Sequence, residues 1–121
     1  MDDAPALLSE MILQADVFCS LIEARIFDLS ARAEHDELRL KISQCRGGIA
    51  RLQQFYESDE LAIDNAQVRA EFRQLILGLL WVVFRAGSIV DFKLFRKVVQ
   101  IEAGFTYLLL AHISSRGSES V

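Results

Sequence analysis

The chain has one proline and six glycines in 121 residues, which argues for few turns and long regular elements. Cysteine is scarce too. Cys19 and Cys45 stand alone, and the first residues, Met1-Asp2-Asp3, are acidic where a secretion leader needs a basic start and an apolar stretch. Reduced thiols and a cytoplasmic location are therefore expected. No basic excess is present: the net charge is −4, so direct nucleic-acid binding is not expected. The longest unbroken apolar run, Leu75 to Phe84, is ten residues. Crossing a bilayer takes about 20, so no transmembrane segment is expected.

Motifs for chemistry are missing as well. The sequence holds no CxxC, HxxxH, HExxH, ExxH or CxxCH spacing, which removes the common zinc, di-iron and haem arrangements. Gly47-Gly48 lacks the spacing of a phosphate loop. His35 lies at a predicted helix junction and reads as a solvated turn residue, while His112 sits on an apolar stripe as a core or interface histidine. No catalytic residue, metal or cofactor is expected, and the chain reads as a non-enzyme.

What is present is apolar side chain: 52% of residues are hydrophobic and a quarter are charged. This composition excludes a disordered tail and exceeds what one small domain comfortably hides. Charge is divided along the chain. Residues 1–60 hold 12 acids and 6 bases, whereas 61–121 hold 5 and 7, an asymmetry able to orient two faces of a complex.

The apolar residues recur at steps of three and four, predicting an all-α bundle of four helices. The first covers 5–33, with Asp3 or Ala4 as cap, Pro5 in the first turn, and a stripe of Leu8, Ile12, Ala15, Cys19, Ile22, Ile26, Leu29 and Ala33. The second covers 37–57, capped by Asp36, with Leu38, Ile42, Cys45, Ile49, Leu52 and Tyr56; Gly47-Gly48 marks either a kink or a close approach. The third covers 65–86. Asp64 and Gln67 form a capping box, and Ile63 and Val68 a hydrophobic staple. The fourth covers 89–113, with Ser88 as cap and Asp91 in its first turn. A single domain over 1–113 is followed by a polar tail, 114–121, expected to be flexible. Strands at 79–84 and 98–101 are the weaker alternative, because the helical spacing runs well beyond strand length.

Helices one and two carry mainly one stripe each; three and four carry two. On helix four the first is Phe92, Phe95, Val99, Ala103, Thr106, Leu110 and Ile113, and the second is Leu94, Val98, Ile101, Phe105, Leu108 and His112. Helix three adds Ile76, Leu80, Val83 and Phe84, with Trp81 nearby. A helix apolar on two faces is buried on two faces or meets a partner. The expected interface is therefore Trp81, Phe84, Leu94, Val98, Ile101, Phe105, Leu108 and His112.

The function expected from this is a small interaction or regulatory protein of the adaptor, anti-activator or chaperone kind. It would be homodimeric when free and would bind a second protein. The rival is a small-molecule-binding bundle with an aromatic pocket of Trp81, Phe84, Phe92 and Phe105. Lys93, Arg96 and Lys97 beside Phe92, Phe95 and Val98 also suit contact with a membrane surface, a lesser expectation. Cys19 and Cys45 fall at similar heights on facing stripes and read as two small buried residues rather than a redox pair.

Overall fold

A computed structural model describes residues 4–28 and 33–119. They form α1 (Ala4–Asp28), α2 (Ala33–Glu57), α3 (Ala66–Ala86) and α4 (Phe92–Glu119), with a 3-10 turn at Gly87–Ile89 between the last two. No strand occurs among the described residues. The all-α four-helix bundle is as the spacing predicts.

The helices form a ring: α1 packs on α2 and α4, while α3 packs extensively on α2 and less so on α4. Contacts between α1 and α4 run in opposite senses. Arg25 reaches Asp91, Gln14 reaches Lys97, and Met11 lies beside Gly104, so these two helices are antiparallel. The stripe residues Leu8, Ile22, Ile42, Leu52, Val68, Leu79, Val82, Leu94 and Ile101 are fully buried together with Phe18 and Phe72. Phe72 of α3 stacks on Phe105 of α4, with centroids 5.6 Å apart.

Several helix ends differ from expectation, each for a local reason. Asp3, Leu29 and residues 30–32 lie outside the described residues. The second helix starts at Ala33, not after Asp36, so Asp36 sits inside its first turn and pairs with Arg39 at 3.1 Å. Its other end closes on Asp59, which adopts a left-handed φ of 62°. There the Glu60 N–H donates to the Phe55 carbonyl and the Asp59 N–H to the Tyr56 carbonyl, the paired bonds that satisfy a helix C-terminus. Asn65, not Asp64, caps α3: its side-chain oxygen accepts from the N–H groups of Gln67 and Val68 at 2.9 and 3.4 Å.

Likewise α4 begins at Phe92, four residues beyond Ser88. The Asp91 carboxylate accepts from the Leu94 N–H at 3.0 Å and from Arg25 at 2.9 Å. The backbone bond first and Arg25 second hold its carboxyl below the usual carboxylate range. The segment expected as a flexible tail from residue 114 is helical through Glu119. Three–four spacing ends at Ile113, but helix propagation needs only one backbone bond per added residue.

Reading unbroken runs also passed over α1. Although Glu10, Asp16 and Glu23 interrupt it, Ala4–Ile26 is long and apolar enough to cross a membrane by length and composition. In the bundle it is a core helix, burying Leu8, Met11, Ile12, Ala15, Phe18, Cys19, Ile22 and Ile26.

Candidate interaction surface

The eight residues expected to form an interface do not share a surface. Leu94, Val98, Ile101, Phe105 and Leu108 are all buried in the core, Ile101 to 1% exposure. Trp81 is partly buried, with Lys41 and Arg85 over its ring at 5.6 and 5.4 Å from the centroid. His112 is partly buried, and its Nε2 has no hydrogen-bond partner. Only Phe84 faces solvent fully, at 81% exposure.

The two stripes of α4 are thus exchanged relative to the sequence reading. The Leu94-to-Leu108 stripe closes the core, and the other one points outward. Phe92 and Leu110 are 74% and 60% exposed, Ile113 is 61%, and Phe95 and Val99 are 41% each. On α3, Leu77 and Phe84 are exposed, and Leu80 and Val83 are partly buried against the core. These side chains lie on α3 and α4, the least extensively packed of the four neighbouring helix pairs. The sequence did hold a signal for the assignment. The outer stripe contains Ala103 and Thr106, a small and a polar residue, whereas the inner one is large and apolar from Leu94 to Leu108.

The aromatic pocket expected as the alternative is not brought together either, since Phe105 is inside the core while Phe84 and Phe92 face solvent. His35, expected at a solvated turn, is buried, and its Nδ1 has no partner. Among the described residues no group of three His, Cys, Asp or Glu side chains is placed to hold a metal ion. α1 carries a shallower second seam of its own, in which Leu13, Val17 and Leu21 are 37–55% exposed.

Charge divides the surface in the same way. Five ion pairs occur among the described residues, and none joins α3 to α4. Arg46 of α2 holds Asp16 and Glu23 of α1 and also donates to the Ser20 hydroxyl. The bond to Glu23 is the main reason its guanidinium is held above the ordinary arginine value. Arg51 of α2 meets Glu71 of α3 at 2.7 Å. On the α3–α4 side, by contrast, Arg73, Lys93 and Arg96 have no hydrogen-bond or ion-pair partner among the described residues. Of the acids on these two helices with described side chains, Glu71 is taken by Arg51 and Glu102 accepts from the Thr106 hydroxyl.

The cysteines do meet. Both are buried and free, and their thiols interact through a hydrogen bond. That bond first, and burial second, push Cys19 well above the ordinary thiol range. The same bond lowers Cys45, with Lys41 helping. Cys45 reaches α3 because Gly78 leaves the space: a Cβ there would sit 2.7 Å from Cys45 Sγ. Gly47 and Gly48, in contrast, lie within an unbroken helix, and a Cβ at either would make only ordinary contacts.

No family model, curated protein or solved structure matches this chain.

Proposed function

We propose that this chain is a small non-enzymatic interaction or regulatory protein that works through the outer face of α3 and α4, and that it is a homodimer when free. The observation that supports this is the exposed seam Phe92, Phe95, Val99, Leu110 and Ile113 of α4, with Leu77 and Phe84 also exposed on α3. A stable interface covers about 800 Å² per partner. Phe84 and Phe92 are largely bare and the other five are 41–61% exposed, so together they supply area of that order. Burying such side chains yields about 1.5–3 kcal/mol apiece, against an association cost of about 4–15 kcal/mol. A dimer on this face is therefore self-sustaining but close to balance, which suits a protein whose partner must displace a copy of itself.

Sedimentation velocity tests this reading. Wild type is expected to be dimeric at micromolar concentration, and Val99→Asp to be a folded monomer whose melting temperature falls only by the stabilisation that the dimer had contributed. A monomeric wild type, or a Val99→Asp variant that remains dimeric, would remove the support for this face.

A further inference from the structure

The outer seam of α4 has a regularity that a merely greasy patch lacks. Its positions are Phe92, Phe95, Val99, Ala103, Thr106, Leu110 and Ile113, every step being three or four. Phe92 and Ala103, Phe95 and Thr106, and Val99 and Leu110 are each eleven residues apart. Eleven residues make close to three whole helical turns, so the seam stays on one side of α4 along its length. From Phe92 to Ile113 this is a strip about 30 Å long. A long, narrow, helically spaced strip is complementary to another helix, whose side chains enter the spaces between seam residues.

The flanks state the charge of that helix. Arg96 lies four residues after Phe92 and three before Val99, Lys93 is adjacent to Phe92, and Arg73 stands one turn before Leu77 on α3. All three are exposed and unpaired among the described residues, whereas every arginine of α1 and α2 with a described side chain has a carboxylate partner. Two copies meeting through this seam bring these cations toward one another. An acidic helix removes that repulsion and pairs them.

We infer that the partner of the α3–α4 face is an amphipathic helix of about 20 residues, with an apolar stripe at three–four spacing bordered by Glu or Asp. This rests on the interaction reading above and adds the partner's chemistry to it.

The test uses the full chain and three labelled synthetic helices of about 20 residues, followed by fluorescence anisotropy. One has a leucine stripe with glutamate flanks, the second has the same stripe with lysine flanks, and the third has glutamate flanks with the stripe changed to serine. The glutamate-flanked helix is expected to bind, the lysine-flanked one roughly tenfold or more weakly, and the serine one not at all. Arg73→Glu with Arg96→Glu, both on exposed positions, should reverse the preference between the first two. Raising the salt should weaken the glutamate complex but not the leucine contacts.

Equal affinity for the two flank charges would overturn the inference, as would failure of all three to bind. So would binding to phosphatidylserine vesicles with no binding to the peptides, which would assign the face to lipid. In each of those cases a dimer that Val99→Asp still separates would leave the broader reading standing. The two proposals therefore fail separately.

Discussion

On the α1–α2 side a single arginine, Arg46, holds Asp16, Glu23 and Ser20 at once, while on the α3–α4 side Arg73, Lys93 and Arg96 hold nothing among the described residues. The apolar surface follows the same division only in part, since α2 also leaves Leu40 and Tyr56 62% and 57% exposed. α1 leaves Leu13, Val17 and Leu21 half covered, whereas α4 leaves Phe92, Leu110 and Ile113 largely bare. An exposed ion pair is worth only about 0–1 kcal/mol, so pairing contributes little stability to the first side. It does occupy every arginine of that side with a described side chain. The second leaves its cations and its apolar area available, which is what the proposed interaction through this face would use.

The sharpest way to break the comparison is to put the same charge on the two stripes of α4. Ile101→Asp places a carboxylate in the core and should cost several kcal/mol, enough to unfold a domain of marginal stability. Val99→Asp, two residues earlier, should still fold and melt cooperatively, losing only what association contributes to the wild type. Thermal melts of the two variants decide the matter, and a folded Ile101→Asp would mean that the inner and outer stripes had been wrongly assigned.

A smaller effect is expected where α2 meets α3. Gly78→Ala drives a methyl into Cys45 Sγ, and overpacking of this kind costs about 1–3 kcal/mol. In a Cys45→Ala background the same change should be nearly neutral, because the atom it strikes is gone. A double-mutant cycle by urea denaturation measures this coupling. Additive losses would show that Gly78 is not there to admit the sulfur.

Smallest is the cap of α3. Asn65→Ala removes the acceptor for Gln67 and Val68 and should lower stability by about 1 kcal/mol, while Asp64→Ala should stay within about 0.5 kcal/mol. Denaturation midpoints that ranked the two the other way would move the cap back to Asp64.

These three cases mark how far the sequence could be read. Period is a property of one helix, so the four helices and their stripes were legible from spacing. Which of two equally periodic stripes turns inward depends on the neighbours, and both α4 stripes contain enough apolar residues to pass as core. Ala103 and Thr106 were the discriminating residues, and they count only once packing volume is considered alongside polarity. The cap failed by one residue because Asp64 and Asn65 carry the same kind of acceptor. The meeting of Cys19 and Cys45 was legible, since a hairpin with a short turn pairs positions equidistant from it. That Gly78 receives Cys45 was not, because the two are joined only by the lateral fit of separate helices.

The Arg25 clasp has a consequence in time. Its guanidinium donates to the Ile89 carbonyl at 2.7 Å and to Asp91 at 2.9 Å, bonds that bring together points more than sixty residues apart in the chain. The most extensively packed pair, α2 and α3, is joined by residues 58–65 alone. Closing a longer loop costs more entropy before any contact rewards it, so the order of assembly follows. The α2–α3 hairpin can consolidate on its own local contacts, and the ring closes when α1 and α4 meet. The clasp belongs to that last step. Interactions made late act chiefly on the rate of opening, so Arg25→Ala is expected to speed unfolding modestly and leave the folding rate nearly unchanged.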